Sequence, residues 1–279
     1  MGYLKDLFGQ TIVFLILFFL PLSPGVSQAR FITIDTRVET KLQDDKLTIT
    51  VELTNRGDEL AYNLVVTTEI GGHSQAGRPI EKLEVGEVSK SQFNLDISFD
   101  KPGAYPLITR IDFTDVNQYP FSFLSLTDLI YGEGGPPKIL AKMKPLEMAK
   151  DGKLHLTVKN LDANQKEINV RLIIPKEITP KDGLHVLKLE PLAEQTLDFP
   201  VSNSSALVGA DYAIYALLAY EDAGRHYFTS AAGSIKIIEK KKLTRQQVYL
   251  LFGIPLGIFM LYLFFILRKK QKRRTADGS

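Results

Sequence analysis

The sequence predicts an all-β protein of two tandem β-sandwiches followed by one transmembrane α-helix. Three observations predict this architecture. Strand-like runs recur roughly every 8–12 positions between residues 30 and 240, the same features return 106 residues later, and an uncharged apolar segment precedes a basic C-terminal tail. The 279 residues include no cysteine, so we expect neither disulfide bonds nor thiolate metal sites.

The predicted strands rest on alternation and on turn residues. Residues 46–54 read KLTITVELT, in which apolar and polar side chains alternate with the period of a strand that buries one face. Turn-forming residues separate the runs, as in NRGD at residues 55–58 and KPG at residues 101–103. In the first half we predict strands over Phe31–Val38, Lys46–Thr54, Ala61–Ile70, Ser89–Ile97, Tyr105–Phe113 and Phe121–Tyr131.

The second half of this region repeats the first. Matching positions 106 residues apart include Leu83 and Leu189, Gly103 and Gly209, and Phe121 and Tyr227. Residues 46–51 also reappear as residues 153–158, one residue out of register, which a change in loop length would explain. Two copies of about 105 residues, each with about seven short strands, are typical of immunoglobulin-like β-sandwiches.

The two ends of the chain carry membrane signals. An apolar run over residues 11–22 is followed by the small residues Ser27 and Ala29, which predicts a signal peptide that is cleaved after Ala29. Retention of this segment as a second membrane anchor is the alternative. Residues 248–267 are twenty uncharged residues, enough at ~1.5 Å per residue to span a ~30 Å hydrocarbon core. Six basic residues follow within residues 268–279, and such residues stay on the cytoplasmic side.

The predicted product is a single-pass protein of the cell membrane. Its sandwiches are exported to the periplasm or the extracellular space, its helix contacts the lipid bilayer, and its C-terminus is cytoplasmic. The predicted segments are a signal peptide (1–29), sandwich domain 1 (30–133), a linker (134–137), sandwich domain 2 (138–240), a juxtamembrane linker (241–247), the transmembrane helix (248–267) and the basic tail (268–279).

The stretch Leu47–Ile70 carries a family resemblance. Its strand ends in an Asn-x-Gly turn, and Ala-x-Asn precedes the next strand; the second half keeps both asparagines but has no glycine in the turn. The residues concerned are Asn55, Gly57, Ala61 and Asn63, then Asn160 and Asn169. The pattern resembles the bacterial cell-adhesion-related domain, CARDB, and related sandwich modules. The resemblance implies an extracytoplasmic interaction or spacer module and brings no catalytic residues with it.

No pattern in the sequence predicts a catalytic, cofactor-binding or metal-binding residue, so we expect neither enzymatic activity nor a cofactor. The histidines, His73, His155, His185 and His226, lack the spacing of zinc ligands, and His155 is predicted on an exposed strand face. Residues 72–76 approach a Gly-x-Ser-x-Gly nucleophile elbow but are interpreted as a flexible loop between strands. Asp112, Asp115 and Asn117 lack the spacing of a calcium-binding loop.

We therefore expect a non-enzymatic envelope protein whose sandwiches bind or position a protein partner, as an accessory or assembly component. Residues 30–267 hold 27 basic and 30 acidic residues, so nucleic acid is not an expected partner. A small-molecule ligand is not expected either. Residues 121–124 and 212–220 are the candidate positions for exposed aromatic side chains, with core burial as the alternative. A tethered carbohydrate-binding or cell-wall-binding module is the second hypothesis, which the absence of tryptophan disfavours.

Overall fold

The structure is a computed structural model that describes residues 31–181, 183–240, 252–259 and 262. The predicted signal peptide, juxtamembrane linker and basic tail lie outside these residues, and so does most of the predicted transmembrane helix. The described part of that segment, residues 252–259 and 262, is helical. Among the described residues, no helix is both long enough and apolar enough to cross a membrane.

The all-β prediction is confirmed, because the described part of the chain contains seventeen strands. The first eight are β1 (Ile34–Gln43), β2 (Lys46–Asn55), β3 (Ala61–Ile70), β4 (His73–Ala76), β5 (Ile80–Leu83), β6 (Val88–Asp96), β7 (Gly103–Thr114) and β8 (Pro120–Tyr131). The others are β9 (Ile139–Met143), β10 (Leu146–Met148), β11 (Asp151–Asn160), β12 (Lys166–Ile173), β13 (Ile178–Pro180), β14 (His185–Leu189), β15 (Glu194–Asn203), β16 (Asp211–Asp222) and β17 (Arg225–Ile237).

Strands β1–β8 form two sheets around one apolar core, and we call this unit the N-terminal sandwich. One sheet has the order β1-β2-β6; the other runs β8-β7-β3, with β4 and β5 both paired to β3. Leu47, Ile49, Val51 and Leu53 of β2 are all fully buried, so the alternation in the sequence does mark a buried face. They share the core with residues of the opposite sheet such as Leu64.

Strands β9–β17 form a second unit of the same kind, the C-terminal sandwich. Its sheets have the orders β13-β15-β11-β9 and β14-β12-β16-β17, and β10 pairs with β17 in parallel. A separate core fills the space between them, with Leu154 and Phe199 from one sheet and Ile214 and Ile235 from the other. Each sandwich therefore buries its own apolar side chains, as a chain without disulfides requires.

The first strand differs from its prediction. β1 begins at Ile34 rather than Phe31 and continues to Gln43, where it joins β2 in a hairpin. Asp44 occupies the turn with a φ of +51°, a conformation that aspartate tolerates better than most residues. The polar composition of this strand hides it from the sequence, because its hairpin pairing rather than an apolar face defines its length.

The prediction of a flexible loop at residues 72–76 is wrong. His73–Ala76 form β4, which pairs with β3 through a tight turn at Gly71 and Gly72. These two glycines have φ values of +54° and +84°, the positive values that a two-residue hairpin turn requires. The segment is therefore an ordered hairpin strand, and it has no nucleophile elbow because no helix follows it.

A buried asparagine holds the corresponding turn in both sandwiches. Asn55 ends β2 and Asn160 ends β11, and both are fully buried. The Asn55 amide nitrogen donates to carbonyl oxygens 4 and 28 residues further along the chain, at 2.8 and 3.1 Å. The Asn160 amide makes the same contacts 4 and 29 residues further along, at 2.8 and 3.2 Å. The internal repeat is therefore preserved in hydrogen bonds as well as in strand order.

These asparagines correct the predicted register of the repeat. Because Asn55 is equivalent to Asn160, the spacing here is 105 residues, and the buried Ile49 corresponds to the buried Leu154. The predicted match of residues 46–51 with residues 153–158 is therefore displaced by two positions. A shift of two leaves a strand's alternation unchanged, so the apolar pattern alone could not reveal the error.

Candidate functional site

The two sandwiches pack together through the outer faces of their larger sheets. Side chains alternate along a strand, so residues between the core positions point away from the core. On β7, β8, β16 and β17, four such apolar side chains are nevertheless buried and belong to neither core: Ile108, Leu124, Leu217 and Phe228. The contact between the sandwiches therefore includes an apolar layer of its own.

At one end of this contact the backbones of the two sandwiches meet directly. The His226 amide donates to the Pro102 carbonyl oxygen at 2.9 Å, and His226 pairs with Gly103 to join β17 to β7. The His226 imidazole stacks on Tyr105 at 4.2 Å between ring centroids, and its Nδ1 lies 2.7 Å from the Ala104 carbonyl oxygen. A Cβ atom on Gly103 would lie 1.9 Å from the His226 carbonyl oxygen, so only glycine fits there.

Ion pairs surround the contact. They join Lys101 to Glu221, Arg225 to Glu133 at 2.6 Å, Arg171 to Glu69 at 2.7 Å and Lys176 to Asp112 at 2.8 Å. Most of these side chains are partly exposed, and exposed pairs contribute only about 0–1 kcal/mol each. Their main effect is therefore on the relative orientation of the sandwiches, while apolar burial supplies most of the stability.

A buried carboxyl group lies in the same contact. Glu177, in the segment between β12 and β13, is 2% exposed, and the Ser122 hydroxyl of β8 donates to its Oε2 at 2.6 Å. Burial raises the pKa of Glu177; the Ser122 hydrogen bond opposes this effect and the nearby Asp112 carboxylate adds to it. Glu177 is therefore a titratable group whose protonation is coupled to the packing of the two sandwiches.

We expect Glu177 to make stability fall with rising pH. Because its folded pKa is raised, the folded chain binds a proton more tightly than the unfolded chain, so this contribution is complete below the usual value of 4.5. It is lost as the pH rises from that value through the raised pKa. Thermal unfolding of the whole chain in detergent, from about pH 4 to about pH 8, should show a smaller decline for Glu177→Gln. The exposed Glu147→Gln is the control, and equal slopes for all three chains would contradict the assignment.

A cleft with a volume of about 580 Å³ opens beside this contact. The N-terminal sandwich contributes the segment Phe31–Thr33, Phe113 of β7 and Phe121–Leu124 of β8 to its walls. The C-terminal sandwich contributes Leu207–Ala213, which lead into and begin β16. The volume lies within the range of about 300–1,000 Å³ that is usual for ligand sites.

Aromatic rings form much of the apolar surface of the cleft. The ring of Phe113 lies 5.5 Å from that of Phe121 and 6.3 Å from that of Phe123, with both pairs nearly parallel. Phe31 and Val208 are 59% and 60% exposed, on opposite walls. Large apolar side chains with this exposure at the mouth of a concave site are available to contact a partner.

Gly57 keeps the N-terminal wall of the cleft in place. The Asp58 amide donates to the Phe31 carbonyl oxygen at 3.0 Å, and the Phe31 amide donates to Asp58 Oδ1 at 2.7 Å. A Cβ atom on Gly57 would lie 2.3 Å from the Phe31 carbonyl oxygen. The glycine of the Asn-x-Gly turn is therefore needed for the close approach of the segment that lines the cleft.

The equivalent position in the C-terminal sandwich is Asp162, which has a different role. Its Oδ2 lies 2.7 Å from Lys166 Nζ and 3.1 Å from Lys138 Nζ. The hydrogen bonds from Lys166 and Lys138 lower the pKa of Asp162 to about 2. The turn without glycine is thus held by a charged cluster.

The charged side chains that the described part of the chain places in the cleft walls are all acidic. They belong to Glu59, Asp115 and Asp211, and none of them forms an ion pair within the described residues. Asp115 Oδ1 accepts hydrogen bonds from the Asn117 and Tyr119 amides at 2.8 and 2.9 Å, which fixes its carboxylate in the turn before β8. Lys236 is the cross-strand neighbour of Asp211 but lies outside the cleft wall.

The structure brings together two of the segments singled out in the sequence. Residues 121–124 and the start of residues 212–220 meet in the cleft, although Tyr212 itself is largely buried. Asp112 and Asp115 are separated, since Asp112 binds Lys176 while Asp115 holds its own turn. Among the described residues, no group of three or more potential ligands is placed to hold a metal ion. The sequence did not indicate a role for Glu177 or His226, because their side chains bond to residues of the other sandwich that lie far away in the chain.

His155 illustrates an ordinary surface position. It lies exposed on β11, as the alternation predicts, with its Nδ1 2.6 Å from an oxygen of Asp198 on the neighbouring strand. Hydrogen bonds from His155 and Lys153 lower the pKa of Asp198. The pair lies outside the cleft and is explained as a cross-strand contact.

Comparison with known proteins adds a family match to this geometry. Residues 29–116 match the CARDB family model. The match covers much of the N-terminal sandwich, includes the Asn-x-Gly turn, and supports the immunoglobulin-like β-sandwich predicted there. It does not extend to the C-terminal sandwich. No curated protein matches the chain.

Solved structures show only distant likeness. The native Escherichia coli α-2-macroglobulin has 13% sequence identity and a TM-score of 0.30, with 73% of this chain and 17% of that chain covered. The chain therefore spans about one sixth of that protein's length. A Porphyromonas gingivalis protein of unknown function has 9% identity and a TM-score of 0.27, with 74% and 99% covered. The YadV chaperone has 14% identity and a TM-score of 0.28, with 72% and 98% covered.

Proposed function

We propose that the chain is a non-enzymatic, membrane-anchored protein whose two tandem immunoglobulin-like sandwiches act as one unit to bind or position a protein partner. The observation that carries the proposal is the cleft between the sandwiches, with its exposed aromatic side chains. A surface built by both sandwiches needs a fixed relative orientation. The backbone junction at Gly103 and the buried Glu177–Ser122 hydrogen bond favour such an orientation.

The proposed topology rests on the sequence. A signal at residues 1–29, a span at residues 248–267 and a basic tail would anchor the protein in the cell membrane with one pass. The sandwiches would then lie on the periplasmic or extracellular side, and the tail in the cytoplasm. Such a topology suits an accessory or assembly component that holds its partner near the membrane.

Site-specific photo-crosslinking would test the proposal. A photoreactive amino acid replaces Val208 in the cleft wall of the full chain, in membranes of the native host. Val88 on β6, 49% exposed and outside the cleft, is the matched control position. We expect a discrete protein adduct at Val208 and none at Val88. Equal adducts at both positions, or no protein adduct at Val208, would count against a protein-binding cleft.

Carbohydrate binding is the second candidate, and the exposed Phe31 and Phe123 in the cleft are the observation in its favour. Aromatic faces can stack on sugar rings, although the chain has no tryptophan to provide the largest such surface. The full chain in detergent can be passed over immobilised cell-wall polysaccharides. Retention that disappears in Phe123→Ala would favour this candidate over a protein partner, and no retention would remove it.

A further inference from the structure

We propose that the cleft binds an extended polypeptide segment that carries both apolar and basic side chains. This inference rests on the proposed function and names the chemistry of its partner. Three independent features of the cleft support it: the apolar aromatic surface, the acidic groups without an ion-pair partner among the described residues, and the strand edges in both walls that pair with no further described strand.

The charge of the cleft selects a cationic partner. Glu59, Asp115 and Asp211 contribute carboxylates to its walls, and no lysine or arginine of the described residues lines it. Beside an apolar surface the effective dielectric constant is lower than in water, so charges attract or repel more strongly than on an open face. The cleft would repel an anionic segment, whereas lysine or arginine side chains would form ion pairs with these three carboxylates, which we call the rim carboxylates.

The backbone of both walls favours an extended polypeptide. β8 pairs with β7 on one side and with no other described strand, although its Ser122 already contacts Lys176 and Glu177 of the other sandwich. In β16, pairing with β12 begins at Tyr215, so Asp211–Ile214 pair with β17 alone. Free N–H and C=O groups along a strand edge can form hydrogen bonds with an added strand.

An alternating sequence satisfies both kinds of surface. Successive side chains of an extended segment point to opposite sides, so one set can lie on the Phe113, Phe121 and Phe123 rings while the other reaches the rim carboxylates. A small organic cation could satisfy the charge and stack on the rings, but it would make no use of the strand edges. The polypeptide is therefore the occupant that uses every feature of the cleft.

Peptide binding to the full chain in zwitterionic lipid nanodiscs tests the proposal. The probe is a fluorescein-labelled octapeptide of alternating leucine and arginine, and the matched peptides carry glutamate or serine in place of arginine. A fourth peptide keeps leucine and arginine but has alternate backbone amides methylated, which blocks strand pairing. We expect the arginine peptide to bind at least tenfold more tightly than each of the other three, and its binding to weaken with added salt.

Two double variants make the result specific to the cleft. The double variant Glu59→Gln with Asp211→Asn removes two of the carboxylate charges and should weaken the binding of the arginine peptide at least tenfold. Glu81→Gln with Glu147→Gln makes the same change in net charge at exposed residues outside the cleft, and should leave binding unchanged. Equal weakening in both variants would mean attraction to overall charge and would overturn the proposal.

The remaining outcomes separate this inference from the proposed function. If the methylated peptide binds as well as its parent, or benzyltrimethylammonium competes fully with it, the extended segment is wrong. If no peptide binds while Val208 still crosslinks to a protein, the basic chemistry is wrong and the protein-binding function stands. If both the peptide binding and the crosslink are absent, both proposals fail.

Discussion

Replacement of Asn160 by alanine is expected to lower the free energy of unfolding by about 3 kcal/mol, since each buried polar group left unsatisfied costs about 1–3 kcal/mol. The Asn160 amide donates to three carbonyl oxygens, those of Asn164, Leu189 and Glu190, at 2.8, 3.2 and 3.1 Å. Its Oδ1 accepts from the Asp162 amide at 2.9 Å. Alanine would leave these turn groups without partners in a fully buried site and would open a small cavity.

The repeat supplies both a second test and a control. Asn55→Ala should destabilise the N-terminal sandwich by a similar amount, because its amide makes the equivalent bonds. Asn169→Ala removes an asparagine that is exposed on β12, and such surface changes stay within about 0.5 kcal/mol. Thermal unfolding of the full chain in detergent, followed by circular dichroism, compares the three. An Asn160→Ala chain as stable as the Asn169→Ala chain would show that the turn does not depend on this amide.

These asparagines also show how far a single sequence can determine the fold. The alternation in β2 predicts a strand and its buried face, because one face of the sheet must exclude water. Alternation does not fix register, because a displacement by two residues keeps every apolar side chain on the same face. The side-chain hydrogen bonds of Asn55 and Asn160 fix it, and the sequence shows their identity but not their partners.

The packing of the two sandwiches could not be predicted for a related reason. Leu217 and Phe228 occupy outward positions on their strands, where an apolar side chain has the same sequence signature whether it meets solvent or another sheet. Glu177 and Ser122 lie 55 residues apart, and no local pattern connects them. Contacts between sandwiches depend on tertiary arrangement, which strand periodicity does not encode.

Only part of the cleft could be predicted from the sequence. The aromatic run at residues 121–124 stands out in the sequence and does line the cleft. Glu59, Asp115 and Asp211 are distant from one another in the chain, and no sequence pattern connects the three. They become a site because β8 and the start of β16 come from different sandwiches and line the same cleft.

The junction that creates this cleft should be disrupted by Gly103→Ala. Gly103 has a φ of +151°, and an added Cβ atom would lie 1.9 Å from the His226 carbonyl oxygen, so the two backbones would have to separate. Its repeat counterpart, Gly209, has a φ of +89° and nothing within 4 Å of an added Cβ atom. Gly209→Ala therefore carries backbone strain of about 1–3 kcal/mol without the clash, and serves as the matched control.

Distances between the sandwiches distinguish the two variants. The chain has no cysteine, so Gln92→Cys and Lys142→Cys, exposed on β6 and β9, can carry one spin label each. We expect a narrow distance distribution in the parent and in Gly209→Ala, and a broad or displaced one in Gly103→Ala.

Because both walls of the cleft move with their own sandwiches, the same Gly103→Ala chain should also lose affinity for the leucine–arginine peptide. An unchanged distribution would mean that the apolar layer around Leu217 and Phe228 holds the sandwiches together without the backbone junction. Retained peptide binding by a chain whose distances had broadened would place the binding surface on one sandwich alone.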